Sequence, residues 1–152
     1  MKIKRITEVG VVVKDLDKAV GLMKDLFGAE TGEITTVELY NMRFCMCRLG
    51  QVDFELMEAI DDHGVIADFL KKRGEGLHHV AFAVDDLDSG MNTLKEKRVC
   101  FVSEQALTVE GHGRDMAGNE IAGEGKFTFS LPSSILGVLF EFIEYPEGYQ
   151  CE

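Results

Sequence analysis

The chain lacks any apolar run of the roughly 18 residues that a membrane span requires. Residues 9–13 are apolar, but Lys14-Asp15 ends them. Met1-Lys2-Ile3-Lys4-Arg5 has no apolar core behind it of the kind a secretory leader carries, so the chain is expected to be cytoplasmic. Positive charge is scarce: 16 Lys and Arg stand against 27 Asp and Glu, a net charge of −11. That balance argues against nucleic-acid and anionic-membrane partners, both of which reward positive faces. An anionic ligand would need a local basic cluster. Cysteine is sparse as well, with four residues. Cys45-Met46-Cys47 is a CxC and no second pair completes it, so neither a CxxC redox motif nor a zinc knuckle is read here. Cys45, Cys47 and Cys100 are expected as small core or sheet residues in a reducing compartment. What remains is ordinary for a globular chain: 45% hydrophobic and 28% charged residues over 152 positions. That length suits one domain, or two small halves sharing a core, and needs no staple to fold.

The informative feature is an internal repeat. Residues 8–17 (EVGVVVKDLD) match residues 79–88 (HVAFAVDDLD) at an offset of 71. Each is an apolar run of strand length closed by Asp-Leu-Asp. Asp15 and Asp86 are natural helix N-caps, whose carboxylates accept the orphan N–H groups of a first turn. Behind them Ala19, Val20, Met23, Leu26 and Phe27, and then Leu87, Met91 and Leu94, recur at helical spacing. A second match follows at an offset of 86, where Phe54-Glu55 aligns with Phe140-Glu141. The difference of 15 residues falls on the Gly-rich stretch 110–125, read as a mobile loop. Strands are expected near 33–40, 42–49 and 51–59, and again near 99–102, 126–131 and 136–145. A helix over Val65–Arg73 joins the halves and stops at Gly74. The reading is α+β: a βαβββ module over 1–62, a linking helix within 63–76, and a second βαβββ module over 77–146, related by a pseudo-twofold. Pairing supplies cover for a sheet face that a lone module would leave bare.

The repeat matches Glu8 with His79 and Glu55 with Glu141. All four are polar residues in otherwise apolar strands. A carboxylate inside a sheet is costly unless it is paired or bound to a cation. Three carboxylates and a histidine gathered by pseudo-symmetry make a cation site, and these donors suit several divalent metals. Glu8 taken alone reads more readily as a solvent-facing strand residue. Glu55 and Glu58 are three apart and face opposite sides of a strand, as do Glu141 and Glu144. His78 and His79 also face opposite ways, so one of them joins the site.

These stretches resemble the vicinal oxygen chelate superfamily, the glyoxalase, bleomycin-resistance and dioxygenase group. The resemblance runs through residues 11–19, 66–82 and 137–141. Within that group the similarity is greatest to methylmalonyl-CoA epimerases. It implies paired βαβββ modules forming a curved mixed sheet around a central cleft, commonly a homodimer, and a divalent metal. His79 and Glu141 fall on matching ligand positions, Glu55 on a third, and Glu8 where epimerases usually have His. With three carboxylates, Mn, Co, Mg, Fe or Ni is favoured over Zn. The implied activity is proton transfer at a carbon beside a carbonyl of a small molecule, possibly an acyl-CoA. Glu141 is the first candidate for proton handling and Glu38 the second. Tyr40, His112 and Arg114 are candidates for substrate contact, the last two in a Gly-His-Gly-Arg segment similar to the family's Ala-His-Gly-Lys. Lys71-Lys72-Arg73 and Lys95-Glu96-Lys97-Arg98 are the other basic clusters, read first as solvated helix ends. The alternatives are a glyoxalase I-type lyase and a small-molecule-binding protein without catalysis.

Overall fold

The computed structural model describes residues 1–114 and 120–146, with side chains outside 110–114 and 120–122. Among them nine strands and three helices form an α+β chain. They divide into two units. The first holds Glu8–His78; the second holds Met1–Thr7 together with the chain from His79 onward.

In the first unit, the Glu8–Val12 part of β1 (Ile3–Val12) runs parallel to β5 (Val52–Ala59). Strand β4 (Met42–Leu49) pairs antiparallel with β5, and the short β2 (Glu30–Thr31) and β3 (Thr35–Val37) both pair with β4. Helix α1 (Leu16–Phe27) covers one face of this sheet. There Leu16 packs with Val13, Cys45, Cys47 and Leu56, all buried. Helix α2 (Val65–Arg73) sets Ile66 against Val12 and Met57, residues of the other face. Alternation along each strand therefore puts Glu8, Gly10 and Val12, with Asp53, Glu55 and Met57, on the face away from α1.

The second unit repeats the plan. Strand β6 (Gly76–Val84) runs parallel to β9 (Phe140–Glu144), β8 (Glu120–Phe129) pairs antiparallel with β9, and β7 (Leu107–Arg114) pairs with β8. Helix α3 (Leu87–Glu96) packs Leu87 and Met91 on Val84 and Phe142. The two registers are superimposable on the offsets. Gly10 stands opposite Glu55, and Ala81 opposite Glu141.

The helix starts repeat too. Asp15 accepts from Lys18 N at 2.9 Å and Asp86 from Ser89 N at 3.0 Å. The Glu58 and Glu144 side chains then reach the first helical N–H, from Leu16 at 3.4 Å and Leu87 at 2.7 Å. Negative charge there complements the positive helix end. A cation completes each lock. Arg43 bridges Glu58 at 2.7 Å and Asp17 at 3.2 Å, and Lys126, opposite Glu144, holds Asp88 at 2.5 Å. Each strand thus presents one carboxylate to its helix and the other, Glu55 or Glu141, to the opposite face.

Four expectations are corrected. The strand expected at 33–40 ends at Val37, and Glu38–Tyr40 form a 3-10 turn. Asn41 closes it in the left-handed region (φ 52°), held there by its amide on Asp61 and the His63 carbonyl. Residues 99–102 form no named strand, only a bridge between Phe101 and Ser130. Cys100 lies exposed there rather than in the core. The Gly-rich stretch is not a loop throughout: Val109 pairs with Gly125, Gly111 with Gly123 and Gly113 with Ile121. Glycine serves close approach here, because a Cβ on Gly123 would meet Pro146 at 3.3 Å and one on Gly125 would meet the Glu144 carbonyl at 3.3 Å. Residues 115–119 lie outside the described residues.

Candidate functional site

The second unit brings two of the four expected donors together. His79 on β6 and Glu141 on β9 share the face away from α3, since Ala81 stands opposite Glu141 and His79 is two residues before it. The His79 Nε2 and Glu141 Oε2 atoms are 3.2 Å apart, and the residues are 4% and 9% exposed. Phe129, opposite Glu141 on β8, stands edge-on to the imidazole at 5.7 Å between centroids and 82°. His78 faces the other way and packs its ring against Phe69 of α2. His79 is therefore the histidine of this face.

The first unit places Glu8 and Glu55 on neighbouring parallel strands and on one face, two register positions apart. Glu8 is 8% exposed and Glu55 half-buried. Beside them lies a pair the sequence did not reveal. Arg48 grips both oxygens of Asp53, one through Nε and one through a terminal nitrogen at 2.8 Å. Asp53 is the register partner of Glu8. At the repeat positions of Arg48 and Asp53 the second unit has Leu131 and Leu139, so no repeat signal marked them.

The donor chemistry of His79 and Glu141 fits a divalent cation. Two donors side by side on one ion, each at about 2.1 Å, stand about 3 Å apart. The observed separation of 3.2 Å meets that, and the carboxylate answers both an ion and an imidazole.

The remaining candidates are dispersed. Glu38 opens the 3-10 turn and Tyr40 ends it, both exposed. His112 and Arg114 stand on β7 opposite Ala122 and Glu120; their side chains lie outside the described residues. The basic clusters are helix ends: Lys71 donates to the Asp62 carbonyl, Arg73 lies over Phe69 at 5.7 Å, and Lys95 donates to the Glu104 carbonyl at 2.5 Å. Asp61, Asp62 and His63 also gather their polar atoms, but on an exposed turn, where Nδ1 of His63 is 2.8 Å from Asp62 and Asn41 holds Asp61.

Residues 7–117 match the family model of the Glyoxalase/Bleomycin resistance protein/Dioxygenase superfamily. The chain belongs to this superfamily. Among superfamily relatives, the mitochondrial methylmalonyl-CoA epimerase of Bos taurus is 33% identical over 138 residues, covering 90% of this chain and 72% of the relative. The crystal structure of methylmalonyl-CoA epimerase from Mycobacterium tuberculosis matches with a TM-score of 0.77 at 28% identity, covering 95% of this chain and 89% of that one. Streptomyces coelicolor methylmalonyl-CoA epimerase, in complex with 2-nitronate-propionyl-CoA, shares the fold at a TM-score of 0.77 and 24% identity, covering 95% and 99%. The second unit runs βαβββ among the described residues, and the first has four strands after α1, two of them the short β2 and β3. No helix among the described residues is long and apolar enough to cross a membrane.

Proposed function

We propose that this protein is an isomerase of the methylmalonyl-CoA epimerase type, moving a proton at the carbon between a thioester carbonyl and a carboxylate. The observation that carries the reading is the buried His79–Glu141 pair on a sheet face away from its helix. The bovine and mycobacterial epimerases support the substrate class. The relatives described above are epimerases, which gives the glyoxalase-type alternative no support.

His79 and Glu141 are the residues of this face that would hold a divalent ion. Such an ion, when bound, supplies positive charge to the oxygen that turns negative as the α-proton leaves. Glu141 handles the proton on one face of the substrate carbon. The C–H electron pair moves onto the carbonyl oxygen, and return of a proton to the opposite face inverts the centre. Glu38 is the second proton-transfer group in this reading, with Tyr40 beside it on the same turn. His112 and Arg114 are proposed to meet the acyl-CoA.

The test is methylmalonyl-CoA in D2O with added Mn²⁺ or Co²⁺. Deuterium is expected at the α-carbon together with inversion. Neither exchange nor inversion with any divalent ion overturns the assignment. In the same assay Glu38→Gln is expected to slow inversion by about 10²–10⁴-fold. Exchange on the face served by Glu141 should persist. Unchanged inversion removes Glu38 from the mechanism.

A further inference from the structure

We infer that Phe129 is a positioning residue: it fixes the plane of the His79 ring, and with it the place of the Glu141 carboxylate that meets that ring. The inference rests on the reading that Glu141 handles the substrate proton beside His79, and it names the side chain that holds the pair in place.

A histidine does not hold its own ring. The last torsion of its side chain is broad and two-fold, so neighbours must set the plane. Glu141 touches one nitrogen of His79, its Oε2 standing 3.2 Å from Nε2. That contact fixes a point and leaves the ring free to tilt about it. Phe129 removes the freedom. It stands in register with Glu141 on β8 and meets the imidazole at 82°, with centroids 5.7 Å apart. Aromatic rings favour this perpendicular arrangement, because the positive edge of one faces the negative face of the other. Phe127 holds Phe129 in the same way, at 83° and 6.1 Å. Phe127, Phe129 and His79 therefore stand each edge-on to the next.

The strand beneath these rings is pinned. Thr128 and Ser130, on either side of Phe129, point to the opposite face and are fully buried. Thr128 Oγ1 lies 3.4 Å from the Ser103 hydroxyl, and Ser130 N donates to the Phe140 carbonyl at 2.9 Å. A slip by one residue would carry both hydroxyls to the other face and turn Phe129 away from His79. The Phe129 carbonyl also accepts from Val102 N at 2.9 Å, so β8 is tied at this residue from a second side. The first unit offers the contrast. There Met46 stands opposite Glu55 as Phe129 stands opposite Glu141, and Glu8 has the place of His79. The aromatic residue occurs in the unit that has an imidazole to orient.

The experiment compares Phe129→Leu, which removes the ring, with Phe129→Tyr, which keeps it, in the full-length protein. The first readout needs neither ion nor substrate. Carbon-13 relaxation of the His79 ring, assigned through His79→Gln, gives its order parameter. Phe129→Leu is expected to lower it from about 0.85 to below about 0.6. The second readout is deuteration of methylmalonyl-CoA in D2O with Mn²⁺ or Co²⁺. There Phe129→Leu is expected to lower kcat by about 10²-fold with KM within about twofold of the parent. Phe129→Tyr should match the parent in both. Thermal melting shows which variants are folded. A folded Phe129→Leu protein with a parental order parameter overturns the inference, and so does one with a mobile ring and parental kcat. A Phe129→Tyr protein impaired as much as Phe129→Leu overturns it too. If Phe129→Leu does not fold, Phe127→Leu takes its place, and a rigid His79 ring with parental turnover there overturns the inference. A parent protein that neither exchanges nor inverts with any divalent ion removes the function reading and the catalytic part of the inference with it. Ring relaxation on the same proteins then still decides whether Phe129 holds the imidazole.

Discussion

Glu141→Gln should cost the protein on the order of 10³-fold or more in kcat/KM for epimerisation while leaving its melting temperature within a few degrees of the parent. The substitution keeps the shape of the side chain and removes its charge and basicity. Glu141 lies 3.2 Å from His79 on a face that no residue of α3 covers, so its charge is not part of the α3 core of Val84, Leu87, Met91 and Phe142. Glu144, three residues on, is the control. It faces the helix and accepts from Leu87 N at 2.7 Å. Glu144→Gln should weaken that contact and remove a negative charge facing Lys126, lowering stability by about 1 kcal/mol. Its turnover should match the parent. Kinetics and urea unfolding on the two variants check both halves. A Glu141→Gln enzyme with parental turnover would remove the site, whatever its stability. If both variants lost stability equally and neither lost activity, the alternation of faces would have no functional meaning.

That contrast was largely legible before any coordinates. The offsets of 71 and 86 align Glu8 with His79 and Glu55 with Glu141, and the paired registers reproduce both. Period-two alternation separates Glu55 from Glu58 and Glu141 from Glu144 without knowing what covers either face. The Asp15 and Asp86 caps were legible for the same reason, because capping is a local matter of one carboxylate and one turn. Other features depend on partners distant in sequence. Arg43 and Lys126 perform the same task in the two units, yet one is guanidinium and one ammonium, and they sit at an offset of 83 that matches neither repeat block. Arg48 and Asp53 have leucine counterparts, so comparison of the halves hides them. The glycines at 123 and 125 look like a loop by composition, and the approach of Pro146 and of the Glu144 carbonyl explains them as strand residues. The turn at Glu38 follows from Asn41, whose αL conformation is fixed by Asp61 and His63, some 20 residues away. The division of the chain is the subtlest case. Met1–Thr7 belongs with the second unit, tied by Lys2 N to Asp85 at 2.6 Å and by Thr7 to the Tyr145 hydroxyl at 2.8 Å, although by sequence it opens the first.

The second large effect concerns alkaline pH. Cys45 and Cys47 stand on the α1 face of β4, both 0% exposed, inside the core built on Leu16 and Leu56. Burial pushes the Cys47 thiol from 9.0 up to about 12, with the neighbouring Cys45 adding to the rise. Cys45 is raised as well, again chiefly by burial, while its thiol donates to the Gly32 carbonyl at 3.4 Å. In the unfolded chain these thiols ionise near their ordinary value. Between about pH 9 and 12 the folded form therefore keeps a proton that the unfolded form has released. Stability is full below the ordinary thiol pKa and falls as pH rises through this window, by up to about 1.4 kcal/mol per pH unit for each shifted thiol. Lysines and tyrosines titrate in the same range, so the single curve is ambiguous and the comparison with a variant is not. Urea unfolding at pH 7, 9, 10 and 11 should show a steep decline for the parent and a shallower one for Cys47→Ala. The variant starts lower at pH 7, because removing a buried sulfur leaves a small void. The two curves should therefore converge as pH rises. Parallel curves would mean that Cys47 ionises alike in both states. Alkylation adds an independent readout: at pH 8 the exposed Cys100 should react in the native protein, while Cys45 and Cys47 should react only on unfolding. A fast native reaction at Cys47 would contradict the burial that produces the whole effect. The CxC spacing thus acts through packing: two thiols on one face fill the core beneath α1, and their chemistry stays silent for as long as that core is closed.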